Sequence, residues 1–141
     1  MAEAQEGAPV AVREAVSGER HECARGDVEE DEGRAELVEA PAEADLHWVC
    51  NPNNPTGVLV RAVEVAELAR RSPSAIVVCD EAYFEYGGES AVGWIDELPN
   101  LVVLRTMSKA FGFASLRVGY ALAHPETAAL LTERRAPAPI S

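Results

Sequence analysis

The sequence predicts an α/β fold: a mostly parallel sheet with flanking helices. Two observations carry this. Short, near-continuous apolar runs recur at Leu46–Cys50, Ala75–Cys79, Leu101–Leu104 and Val118–Ala123, and the stretches between them carry helical spacing or turn residues. Strands covered on both faces read as continuous apolar runs rather than alternating ones, the pattern of a parallel sheet.

Along the chain, residues 1–44 come first. They hold thirteen Asp/Glu and four Arg, a net of −9, with no aromatic residue, and five of the six residues from Asp27 to Glu32 are acidic. Such a segment buries too little apolar surface to offset chain entropy, so a disordered or loosely packed segment is expected there. The character changes at Asp45. Leu46–Cys50 reads as a first strand, ended by the turn-rich Asn51-Pro-Asn-Asn-Pro-Thr-Gly57. Arg61 to Arg71 follows as an amphipathic helix with Val63, Ala66, Leu68 and Ala69 on its apolar face, stopping before Pro73. Ala75–Cys79 is a second strand, closed by Asp80-Glu81. A looser stretch with Gly87, Gly88 and a short helix from Trp94 to Leu98 leads to the third strand, which runs into Thr106 and Lys109. After the fourth strand, a last helix begins at Pro125, with Ala128, Leu130 and Leu131 on its apolar face.

Composition bounds the function. The 141 residues carry a formal net charge of −12, which argues against nucleic acid, whose binding needs a basic footprint. No apolar run approaches the ~20 residues needed to cross a bilayer, and the first residues lack the basic region and apolar stretch of a secretory signal. Cys23, Cys50 and Cys79 make neither a disulfide framework nor a metal-ligand spacing, so no metal is expected and a reducing cytoplasm is the expected setting.

One residue type is used once. Lys109 is the only lysine; the other eleven cationic side chains are arginine. An arginine cannot deprotonate to give the amine that attacks a carbonyl. In parallel α/β sheets ligands bind beyond the carboxyl ends of the strands, and the polar residues just there are Asn51/Asn54, Asp80 and Thr106/Ser108/Lys109. An amine beside a carboxylate and an amide suits Schiff-base chemistry with an aldehyde cofactor. Pyridoxal 5'-phosphate needs an amine, an acid partner for its ring nitrogen, donors to its ring oxygen and a phosphate cradle. Lys109 offers the first, Asp80 the second, Asn54 and Tyr83 the third, and Thr106, Ser108 and Arg117 the fourth.

Asn51-Pro-Asn-Asn-Pro-Thr-Gly57, Asp80-Glu-Ala-Tyr83-Phe-Glu85 and Arg105-Thr-Met-Ser-Lys109-Ala-Phe-Gly, with Leu116-Arg117-Val-Gly-Tyr120, resemble the large domain of class I/II aminotransferases, closest to the histidinol-phosphate group. The resemblance covers residues 45–140. It implies part of the large domain of a fold-type I pyridoxal-phosphate-dependent transferase over residues 45–141. It gives Lys109 the covalent link to the cofactor and the movement of the substrate proton, and gives Asn54, Asp80, Tyr83, Thr106, Ser108 and Arg117 the cofactor contacts named above. It also implies an amino donor, a 2-oxo acid and a homodimer. Family features with no counterpart in these motifs are an upstream phosphate loop, a ring-stacking aromatic, and a small domain with an arginine for the substrate carboxylate. The polypeptide is therefore expected to be a truncated and by itself inactive portion. Alternatives are a non-catalytic remnant serving as a binding or interaction module, or another class I/II transaminase or a decarboxylase. Plain structural roles fit the same residues: a simple turn at Asn-Pro-Thr-Gly, a solvated loop edge or helix cap at Asp80-Glu81, core packing for Tyr83 and a surface ion pair for Arg117. Gly112 and Gly119 are expected to ease backbone packing, and Cys50 and Cys79 to be strand residues.

Overall fold

The computed structural model describes residues 44–134 together with two short strands, β1 (Val10–Ala11) and β2 (Arg25–Gly26), which pair antiparallel. The other expectations for residues 1–43 lie outside the described residues. β3 (Leu46–Cys50), β4 (Ile76–Asp80), β5 (Leu101–Thr106) and β6 (Gly119–Ala123) form one sheet in that order. The first three are parallel and β6 is antiparallel to β5.

The connections explain these directions. Between β3 and β4 runs helix α1 (Ala62–Arg71), whose first turn is closed by Glu64 accepting from the Arg61 amide at 2.9 Å. Such a crossover returns the chain parallel. Two 3-10 turns, Phe84–Tyr86 and Ala91–Trp94, lie between β4 and β5. From β5 to β6, residues 107–118 hold the 3-10 turn Ala114–Leu116 and no α-helix, and the chain folds back to pair antiparallel along β5. The fourth run is the exception to the parallel pattern, and it keeps the Lys109 segment at the carboxyl end of β5.

The core lies on one face. Val49, Val77, Cys79, Leu101 and Val103 pack with Val65, Ala66, Leu68 and Ala69 of α1, and Trp94 and Ile95 close the cluster. Val65 is fully buried and Val63 only partly so, correcting the apolar face read from the sequence. Trp94 packs against this core beneath the Arg70 guanidinium, 4.8 Å from the ring centroid. The Asn100 side-chain amide, between the turns and β5, donates to the carbonyls of Ala69, Ser72 and Ala75 and so holds the end of α1 to the start of β4.

The opposite face, with Trp48, Ile76, Val78 and Leu104, is less covered among the described residues; Ile76 is 37% exposed. The expectation of two covered faces is met more fully on the side of α1 and the Trp94 turn; on the other, Val78 and Val102 are buried while Trp48 and Leu104 are only partly so. Helix α2 (Pro125–Arg134) begins where expected, with the His124 ring accepting from the Glu126 amide. It docks through Thr127, whose hydroxyl donates to the Pro99 carbonyl. Leu130 and Leu131, expected on a buried face, are 60% and 44% exposed, because no described element packs over them. No helix among the described residues is long and apolar enough to cross a membrane.

Candidate active site

Strand parity sorts the polar residues at the carboxyl ends of β4 and β5. Side chains alternate with a period of two. Asp80 therefore shares the face of Val78, and Thr106 the face of Leu104, the residue opposite Asp80 in register. Glu81 and Arg105 continue the other parity, that of Cys79 and Val103, and turn toward the core. Adjacent charged residues thus face opposite ways.

On the open face Asp80 is half-buried. Its Oδ1 accepts from the Ala82 amide at 3.1 Å, and its second oxygen takes no hydrogen bond among the described residues. Beyond it, Tyr83 meets Lys109 from the next strand: the ammonium lies 4.9 Å from the ring centroid. The segment that carries Lys109 is closed on itself. The Met107 amide donates to the Val118 carbonyl, Phe113 to Met107 and Gly112 to Lys109, all within 3.1 Å, and Gly112 takes a φ of 70° that favours glycine. The Thr106 hydroxyl accepts from the Ser108 amide at 3.1 Å and donates to the Val118 carbonyl at 3.3 Å. The backbones of residues 106–108 and 117–118 therefore lie side by side. Arg117 is exposed, in the left-handed region at φ 52°, with its guanidinium on the Ala114 carbonyl at 3.2 Å. A methyl group at Gly119 would lie 3.0 Å from the Arg105 carbonyl, so the packing role read for that glycine has a clear cause.

The two asparagines read together from the sequence part company. Asn51 is buried, its amide donating to the Val60 carbonyl at 2.8 Å and accepting from the Val60 amide at 2.9 Å. It is a staple for the turn. Asn54 is exposed at the tip, and no hydrogen bond among the described residues joins it to Tyr83, Asp80 or Lys109. The turn that carries Asn54 is held by the Gly57 amide on the Asn53 carbonyl at 2.7 Å, with Gly57 at φ 74°.

Glu81 overturns the reading of Asp80-Glu81 as a solvated edge. It is fully buried, and its carboxylate accepts from the Ser90 hydroxyl, the Ala91 amide at 2.7 Å, and Arg105 through Nε at 3.0 Å and Nη2 at 2.9 Å. Arg105 also lies over Phe84, 4.1 Å from the ring centroid. Burial pulls the Arg105 guanidinium down, but the hydrogen bond to Glu81 and its charge, with the Tyr120 phenol adding, leave it raised above the ordinary arginine value. The neighbouring Cys79 thiol is pushed up by burial first, then by the charges of Glu81 and Asp80. Parity beyond the apolar runs was the signal: counting by two from Cys79 and Val103 reaches Glu81 and Arg105, a complementary pair on the core side. No cluster of three or more His, Cys, Asp or Glu poised for a metal occurs among the described residues.

A family model for aminotransferase class I and II matches residues 18–141. The chain belongs to this family. The match reaches upstream of Asp45 into the acidic segment. Among curated aminotransferases, the chain is 43% identical over 105 residues to a histidinol-phosphate aminotransferase 2 of Idiomarina loihiensis, covering 74% of this chain and 29% of that protein. It is 44% identical over 110 residues to the histidinol-phosphate aminotransferase of Shewanella amazonensis, covering 73% and 30%. Of solved structures, the histidinol-phosphate aminotransferase of Sinorhizobium meliloti, in complex with pyridoxal-5'-phosphate, is similar with a TM-score of 0.64 and 32% identity over 74% of this chain and 31% of that one. The L-threonine-O-3-phosphate decarboxylase of Porphyromonas gingivalis is similar with a TM-score of 0.59 and 31% identity, over 69% and 32%. The chain spans about three tenths of the length of these two curated relatives.

Proposed function

We propose that this chain carries the cofactor-binding centre of a pyridoxal-phosphate-dependent aminotransferase acting on histidinol phosphate with 2-oxoglutarate as acceptor, in the cytoplasm and as a homodimer. The observation that carries the reading is the meeting of the sole lysine, Lys109, with Tyr83 beside the strand end that bears Asp80.

The donor set fits the group. When bound, the cofactor supplies an aldehyde carbon for an amine and a ring that withdraws electrons from the substrate. Lys109 Nζ is the amine, and it holds and returns the proton of the substrate carbon. The unengaged oxygen of Asp80 would serve the ring nitrogen and keep it protonated, since a nearby anion favours the charged form. The Tyr83 hydroxyl would donate to the ring oxygen, and the Asn54 amide would do so from the turn tip. Ser108, Thr106 and Arg117 would receive the phosphate, the guanidinium by charge-assisted hydrogen bonds. The Thr106 hydroxyl already bridges Ser108 and Val118, so its share is the smaller of the three.

The test is chemical. Pyridoxal phosphate with borohydride should modify the 141-residue chain at Lys109, mapped by peptide, and spare that peptide in Lys109→Ala. The α-amino group, which any aldehyde modifies, is the internal reference. Modification at Lys109 no faster than at the α-amino group would refute the role. Likeness to the threonine-phosphate decarboxylase supports a second reading on the same cofactor, separated from the first by carbon dioxide release instead of amino transfer.

A further inference from the structure

We propose that Glu81 and Arg105 form a buried lock that positions Asp80, Tyr83 and Lys109 relative to one another; the role rests on the reading of those three as cofactor residues. The lock joins three segments that carry them. Glu81 follows Asp80 directly, and its backbone amide donates to the Leu104 carbonyl at 2.8 Å, extending the β4–β5 ladder one step past Asp80. Its carboxylate then takes the Ser90 hydroxyl and the Ala91 amide, which closes the segment 82–90 that presents Tyr83. The same carboxylate takes two donors of Arg105, the residue before Thr106 and four before Lys109. Ser90 completes the triangle: its hydroxyl accepts from Arg105 Nη2 at 2.8 Å and from the Val92 amide at 3.2 Å while giving its proton to Glu81.

Stability alone does not explain such a pair. Glu81 is wholly buried and the Arg105 side chain 18% exposed. Taking both charges from water costs about as much as their attraction returns, and apolar replacements of buried pairs are often neutral or stabilising. What two guanidinium donors converging on Oε2, with Ser90 and Ala91 on the same carboxylate, add is geometric definition. The definition is needed here, because Tyr83 and Lys109 lie on segments with glycines at φ 104° (Gly88) and 70° (Gly112) and no regular strand or α-helix of their own. Catalytic groups tolerate little drift: about 1 Å of misplacement can cost roughly a hundredfold.

The test uses the full 141-residue chain and the variant Glu81→Gln/Arg105→Met. Glutamine keeps an acceptor for Ala91, methionine keeps a stem against Phe84, and both charges are gone. Its urea midpoint is expected within about 0.5 M of the parent's. The amides of Tyr86, Gly87, Gly112 and Phe113 are expected to exchange about tenfold faster, while those of Val77 and Val103 stay protected. The ratio of Lys109 to α-amino modification by pyridoxal phosphate is expected to fall about fivefold or more. A folded double variant with parental exchange in both segments and a parental ratio overturns the proposal. Should it not fold, Ser90→Ala removes only the bridging hydroxyl and must loosen the same amides; unchanged exchange there is equally fatal. If the parent shows no preference for Lys109, the cofactor reading fails, whereas the exchange data still decide whether the lock exists.

Discussion

Asn51 and Asn54 are the same residue three positions apart, and the structure gives replacing them with alanine opposite consequences. Asn51→Ala removes both partners of the Val60 backbone: the acceptor of its amide and the donor to its carbonyl. Val60 is 1% exposed, so water does not readily take their place. Each buried backbone group left unsatisfied costs about 1–3 kcal/mol, so the two together amount to roughly 2–5 kcal/mol once some relaxation is allowed. Against a typical domain stability of about 5–15 kcal/mol, that is a large fraction. With a slope of about 1–3 kcal/mol per molar urea, the midpoint should fall by roughly 1–3 M. Asn54→Ala, at an exposed tip, should stay within about 0.5 kcal/mol. Equilibrium urea unfolding followed by circular dichroism measures both, and exchange at the Val60 amide localises the loss. A cost below about 1 kcal/mol for Asn51→Ala would show that the staple does not hold the turn. Pyridoxal phosphate affinity should respond the other way, falling for Asn54→Ala with stability intact.

Arg117→Gly should separate backbone from charge: relief of a left-handed φ, roughly 1 kcal/mol, is offset by the freer unfolded chain, so the urea midpoint should hardly move. Loss of a charge-assisted contact worth about 1.5–3 kcal/mol should weaken pyridoxal phosphate binding roughly ten- to hundredfold, read by fluorescence titration, and unchanged affinity would remove Arg117 from the phosphate. Cys79 gives a pH effect. Its thiol is raised in the fold above the ordinary value of 9.0, so the stability it confers is complete below about pH 9 and is lost as the unfolded chain ionises above it. Cys79→Ala should flatten the alkaline decline in stability by about 1.4 kcal/mol per pH unit, measured by urea unfolding from pH 8 to 10.5; an unchanged slope would contradict the burial of that thiol.

What the sequence settled by itself was local. Four apolar runs became the four strands of the main sheet, with β5 longer by Arg105 and Thr106, and Pro73 and Pro125 marked helix limits correctly. The only lysine side chain marks Lys109 from the sequence alone, because residue chemistry needs no neighbours to be recognised. The tertiary structure decided whatever depends on partners distant in sequence. Strand direction at β6 is decided by its pairing back along β5 with no α-helix between them, and the exposure of Leu130 and Leu131 by the lack of a described element over them. Asn51 and Asn54 have one chemistry, and only the position of Val60 makes the first a staple and leaves the second at the surface. Asp80 and Glu81 differ by one step of the pleat: parity sends one to the open face and the other under Arg105, and the register that sets this parity is fixed by pairing with β5.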